Sequence, residues 1–293
     1  MCIAVTHIVD AVTSIAFHGV AFAMVLYLVS VGLSVTMGLM GFANLAHGVF
    51  AAAGGYFTTS LMLRFVPFPL ALAVGVVLVA LISTVFERLL YRRLYGGNEL
   101  DQVLLTIGLV FMWISTANFF WGPLAQPFHP PHVLSGQIEV LGRNFPAYRT
   151  FLIFAGAVVV TGLWLGLERT RFGARIRASV DNLKMAQSIG INTSGLFTLT
   201  FALGSGLAAL GGGLGADILA IDPGYALEHL VYFLIVVSVG GLGSIRGPFF
   251  AALLLGVTDT GFKYLLPEFG AFFIYALTMV ILLVRPHGLF GRG

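Results

Sequence analysis

The sequence predicts an all-α, polytopic membrane protein with eight or nine transmembrane helices and a short Gly-rich broken segment near residues 38–63. Three observations carry that prediction. Of 293 residues, 58% are hydrophobic and only 9% charged, with a mean hydropathy of +0.99. A soluble domain carries about a quarter charged residues, so this chain has too little polar surface to coat a globule in water. The apolar residues also fall in runs close to the ~20 needed to cross a bilayer as helix. Finally, the basic residues gather in short stretches between those runs, where they orient a membrane chain.

The candidate spans lie at 17–37, 48–63, 68–90, 102–121, 150–167, 196–218, 229–242, 248–265 and 269–285. The segments around 38–63 and 229–242 are short and Gly-rich, which leaves the count at eight or nine. The first 63 residues contain neither Lys nor Arg. They lack the basic n-region and small-residue cleavage site of a secretory signal, so the N-terminal segment is expected to be retained.

Positive charge sets the expected sidedness. The stretch 168–195 carries Arg169, Arg171, Arg175, Arg177 and Lys184 with Glu168 and Asp181, and should be cytosolic. So should 91–101, flanked by Arg88, Arg92 and Arg93, and the tail from Arg285 to Arg292. Loop 122–149, with five prolines and only Arg143 and Arg149, should face the other side. Nine crossings put the N-terminus outside; eight do not. No low-complexity linker divides the chain, so residues 1–293 are read as a single transmembrane domain. An echo between 48–52 and 247–252, each after a Gly-Leu-rich turn, is what an internal repeat of the kind common in transporters would leave.

Certain chemistries find no support. One cysteine, Cys2, makes no intrachain disulfide, and no Cys/His cluster has metal-site spacing. Neither a metal nor a cofactor is implied. The pI near 9.2 reflects loop charges that orient the chain and does not indicate nucleic acid. No Ser/His/Asp cluster, HExxH or paired carboxylates stand out, and Gly211–Gly215 lacks the Lys-Ser/Thr of a phosphate loop. The chain is therefore not read as an enzyme. An energised transporter built on it needs its ATPase on another chain.

The polar residues inside apolar runs are the site candidates, because a charge at mid-bilayer costs on the order of 3 kcal/mol on insertion scales. Asn44 and His47 sit three apart in apolar surroundings. Two readings stand open: they satisfy the backbone of a broken helix, or they face a solute path. Asp217 is the carboxylate best placed to face a pore. Asp222, in Asp-Pro-Gly-Tyr, reads as interfacial, and Asp259 and Lys263, four apart, read as a helix-face ion pair. The glycines of 204–216 suit either close helix packing or a hinge.

Four segments then resemble one family. Asn44-Leu45-Ala46-His47-Gly48 resembles the NxAHG signature of the branched-chain amino acid ABC transporter permeases. The run 181–186 followed by 190–193 is similar to their DLKMA…GIN loop, 240–247 to their GGxGSxxG turn, and 285–292 to their RPxGLxGR tail. The sequence departs from the pattern at Val49-Phe50-Ala51, where a Glu often follows the signature, and at Arg246, where a Pro is common. The resemblance implies a permease subunit of a bacterial inner-membrane importer. Its partners would be ATP-binding subunits, a second permease subunit and a periplasmic substrate-binding protein. It also implies that 171–193 docks on the ATPase, with Arg175, Asp181, Lys184, Ala186 and Gly190 as coupling candidates. The solute implied is a branched-chain amino acid, urea or a short amide. The rival class is an ion-coupled secondary transporter or channel acting alone.

Overall fold

The computed structural model describes residues 2–290 except Ala43, Leu141, Gly142 and Ile245; the side chains of residues 2–8, Val140 and Ala271 are likewise not described. Ile245 of the glycine turn and Gly291 and Arg292 of the tail thus lie outside the described residues.

The nine apolar runs coincide with helix. They correspond to α1 (Cys2–Met40), α2 (His47–Met62), α3 (Phe68–Leu89), α4 (Glu99–Trp121), α5 (Ala147–Arg169) and α8 (Thr193–Gly215). The last three runs are the pair α9 (Tyr225–Glu228) and α10 (Leu230–Gly240), then α11 (Arg246–Leu265) and α12 (Gly270–Val284). Five of these are long and apolar enough to cross a bilayer: Val9–Met40 within α1, α3, α4, α5 and α8. α1 extends well before the predicted start because no proline interrupts it. Between α5 and α8 the polar stretch folds as α6 (Arg171–Asp181) and α7 (Leu183–Ser188). Thr170, Asn182 and Asn192 cap α6, α7 and α8, each side chain accepting an N–H of the first turn.

The fold is mostly, not wholly, helical. Within loop 122–146 a short antiparallel hairpin pairs β1 (Gln137–Val140) with β2 (Arg143–Pro146), in the register Gln137 to Pro146. Four-residue strands leave too short an alternation to be seen against a proline-rich background.

α1 and α8 form the centre. Of the most apolar stretch of each, 83% and 67% is buried, against 11% for α5. The centre is tight because the helices meet at small residues. A Cβ on Gly32 would collide with the carbonyl of Gly204, and one on Gly212 with that of Ala51 in α2. Helices in lipid gain little from hydrophobic association and rely on such close approach. α8 runs unbroken through its glycines, which are used for packing.

Contacts between distant segments sort the bundle into two ends. At one, Arg143 of the hairpin pairs with Asp10 and donates to its carbonyl at 2.9 Å, and Phe145 stacks on Phe17 at 4.1 Å. At the other, Tyr95 packs edge-on against Phe197, Gly243 N–H donates to Ser34 O at 3.2 Å, and Leu289 N–H donates to Val239 O at 2.7 Å. The polar stretch 169–192, the 91–98 turn, the glycine turn and the tail thus share one end. The start of α1 and loop 122–146 share the opposite one.

Candidate functional site

Two of the helices begin inside the bundle. The ring Nε2 of His47, the first residue of α2, lies 3.0 Å from Val29 O. Val29 is eleven residues before the end of α1, or about 16 Å back along that helix at about 1.5 Å per residue. The described residues among 41–46, namely 41, 42 and 44–46, make that return outside regular helix. On the other side, 216–224 leave the end of α8 and descend beside α2. Ile221 lies against Gly55, its carbonyl accepting Gln126 N–H at 2.7 Å, and Ala226 lies against Gly48. The starts of α2 and α9 therefore face each other deep in the fold. Non-helical backbone at such depth persists only where protein or a wet cavity shields it. The start of α2 thus packs on that of α9.

Asn44 and His47 hold the broken approach. Both are buried, at 2% and 1% exposure. The carbonyl oxygen of Asn44 accepts from Tyr91 OH at 3.1 Å, while its Nδ2 has no hydrogen-bond partner. A carbonyl only accepts, so the bond to Val29 O requires the proton of His47 to sit on Nε2. The two residues thus tie the approach to α2 to different places, Asn44 to Tyr91 in the 91–94 turn after α3 and His47 to α1.

Below them lies a network that sequence reading missed. Glu87, at the end of α3, is fully buried. Its carboxylate accepts from Thr198 Oγ1 at 2.7 Å and Tyr95 OH at 3.1 Å, with Arg92 Nε at 3.5 Å. Arg92 also donates to Thr198 at 2.9 Å. A buried charge persists only when paired and hydrogen-bonded, and here the donors come from both sides. The available signal was one acid inside the 68–90 run.

Toward the end bearing the hairpin are the acids of 217–222. Asp217 is partly exposed and pairs with Arg149 Nε at 3.4 Å; Arg149 in turn reaches His18 Nδ1 at 2.8 Å. Asp222 is more enclosed. One of its carboxylate oxygens has no partner, and the carboxylate interacts electrostatically with Tyr56 and Tyr225, whose hydroxyls are also unpartnered. Among the described residues no group of three His, Cys, Asp or Glu is placed to hold a metal ion. Asp259 and Lys263 form their helix-face pair at 2.7 Å.

The polar stretch builds a second candidate region. α6 turns back against α5, with Gly173 in contact with Leu167 and Ile176 buried. Arg175, Asp181 and Lys184 lie at the surface. Ala186 is 2% exposed and faces inward, where its carbonyl accepts Ile191 N–H at 3.0 Å. Gly190 turns the chain at φ +84°, with open space where a Cβ would stand. Around these residues Leu183, Met185 and Ile189 expose 37%, 60% and 68% of their surface. Met185 and Ile189, four apart, fall on one side of this polar protrusion and make it a candidate contact surface. It escaped notice because charge dominated the reading of that stretch.

Comparison with known proteins agrees with this anatomy. Residues 15–282 match the family described as "Branched-chain amino acid transport system / permease component". The chain is 29% identical over 280 residues to the high-affinity branched-chain amino acid transport system permease protein BraD of Pseudomonas aeruginosa, covering 90% of this chain and 91% of that one. It is 28% identical over 292 residues to the corresponding LivH protein of Escherichia coli, covering 94% of each. Among solved structures, PsaBC from Streptococcus pneumoniae in complex with Fab superposes with a TM-score of 0.51 at 13% identity, over 96% of this chain and 94% of that one. At that identity the likeness concerns the fold.

Proposed function

The chain belongs to the family of branched-chain amino acid transport permease components, and from that premise we propose that it is the membrane-spanning subunit of an ATP-driven importer. The solute proposed is a branched-chain amino acid, carried across a bacterial inner membrane without covalent change. ATP-binding subunits, a second permease subunit and a periplasmic substrate-binding protein complete the assembly. Residues 1–293 act as one permease domain.

The observation that carries this reading is the folded α6–α7 protrusion with its exposed Leu183, Met185 and Ile189. A transporter that acts alone has no need of an unpartnered apolar face outside the membrane. An ATPase groove would cover it, with Arg175, Asp181 and Lys184 at its rim and Gly190 setting the turn behind it. Ala186 contributes from inside, by holding the protrusion's shape. The sorting of the two ends supports nine passes with the N-terminus outside, counting the interrupted elements 41–62 and 216–240 as passes.

The solute route proposed runs past the facing starts of α2 and α9. Asn44 and His47 shape its inner half, and Asp217 stands at its outer end. Asp222, with Tyr56 and Tyr225, offers a carboxylate and two hydroxyls suited to an ammonium group. Co-purification tests the whole: tagged chain should bring an ATP-binding subunit from membranes, and uptake in vesicles should need ATP. Uptake that ignores ATP and follows a proton gradient would return the ion-coupled reading.

A further inference from the structure

α5 and α11 both pack on α1 but leave an apolar groove between them, of about 300 Å3. Tyr27 floors it; Val160, Thr161 and Trp164 line one wall, Phe249 and Phe250 the other. The groove lies on the side of α5, the least buried of the long apolar helices, so it faces the bilayer. At its end toward α6 stands Arg246, whose guanidinium lies 5.4 Å from the Trp164 ring centre. A tryptophan beside an arginine is typical of the headgroup level.

Arg246 also lines the adjoining cavity, of about 520 Å3, together with Glu168, Arg177, Asp181 and Ser244. Phe250 and Phe290, one from each lining, stack at 5.3 Å and make the surface continuous. The charges balance: two guanidinium groups against two carboxylates. Arg246 pairs with Glu168, and the two side chains remain 55% and 38% exposed. Arg177 is held by the carbonyls of Leu167 and Glu168, which leaves further N–H groups of its five available. Ser244 Oγ accepts from Gly247 N–H at 3.0 Å and keeps its own O–H to give.

We propose that groove and cavity together form one site for a phospholipid whose head carries both a phosphate and a primary ammonium, that is, an ethanolamine phospholipid. The acyl chain lies along Tyr27, Phe249 and Phe250. The phosphate takes N–H groups of Arg246 and Arg177 and the Ser244 hydroxyl, and the ammonium sits on Glu168. A purely anionic head would meet the two carboxylates, and a choline head has no N–H to donate to them. A protein helix seated here would strip water from the Arg246–Glu168 pair, a desolvation that good pairing often fails to offset. The site requires only a membrane-embedded chain and stands independently of the permease reading.

The test is native mass spectrometry of the full chain purified from membranes in mild detergent, then delipidated and reloaded from equimolar ethanolamine, glycerol and choline phospholipids of equal chain length. Wild type should retain the ethanolamine lipid at least tenfold over the other two. Thr161→Phe, which fills the groove without touching a charge, should lose retention of all three at unchanged protein yield. Arg246→Gln should keep weak retention and lose the preference among heads. Equal or stronger retention of the glycerol lipid by wild type overturns the proposal. So does retention unaffected by Thr161→Phe.

Discussion

Glu87 and Thr198 meet at 2.7 Å, joining the end of α3 to the early turns of α8. The carboxylate is fully buried, so its donors decide whether it is tolerable there. Thr198→Val keeps the shape and removes the shortest of those bonds. The loss should be about 1.5–3 kcal/mol, the usual range for a hydrogen bond to a charged group. Glu87→Ala, which leaves Thr198 only Ser194 O and Tyr95 OH only Met40 Sδ to donate to, should cost at least as much. Thermal unfolding in detergent, followed by chromatography, measures both. A Thr198→Val protein that melts with or above wild type would show that the network is not holding the two helices.

His47 is expected to act through one hydrogen bond, from Nε2 to Val29 O. His47→Gln can supply an N–H to that carbonyl; His47→Leu cannot, and leaves an acceptor buried. We predict that His47→Gln keeps folded yield near wild type, while His47→Leu loses about 1–3 kcal/mol of stability. Asn44→Leu should likewise lower yield, because Tyr91 OH then has no acceptor. If Asn44→Leu leaves yield untouched and only uptake vanishes, Asn44 belongs to the solute path.

The division between what was legible and what was not follows contact range. Each apolar run could be read because hydropathy is local, and the caps at Thr170, Asn182 and Asn192 are local too. The facing of Gly48 with Ala226 could not be read, since 177 residues of chain lie between them and nothing in either segment names the other. Nor could the pairing of Asp217 with Arg149. Ala186 illustrates a subtler limit: the segment was recognised, but which side of a six-residue helix turns inward depends on how α6 docks on α5.

That last point changes what substitutions in the protrusion should do. Met185→Asp and Ile189→Asp alter exposed side chains, so the chain should fold normally and lose co-purifying ATPase by tenfold or more. Ala186→Glu buries a charge and should reduce folded chain itself. Gly190→Trp, at φ +84°, adds turn strain as well as bulk. Quantifying chain and ATPase on the same gel separates the effects. ATPase retained at wild-type ratio by both Met185→Asp and Ile189→Asp would remove the docking assignment.

Asp217 and Asp222 are five residues apart and should answer differently to the same change. Asp217 is partly exposed, with 29% of its side chain open, and its partner Arg149 is 31% open. Pairs of that kind contribute about 0–1 kcal/mol, because water replaces either partner when the other is removed. Asp217→Asn should therefore retain uptake within about fivefold of wild type, 1.4 kcal/mol being a factor of ten. Asp222 has an enclosed oxygen with no donor, beside two hydroxyls that also lack partners. A group left so is suited to a cation that arrives and leaves. Asp222→Asn keeps the volume and removes the charge, so it should preserve folded yield and lower uptake at least tenfold. The assay is vesicle uptake at clamped ATP, with and without a protonophore. Full activity in Asp222→Asn would take the solute's ammonium away from this carboxylate. Loss of uptake in Asp217→Asn, with sensitivity to the protonophore, would favour an ion-coupled transporter over the ATP-driven one.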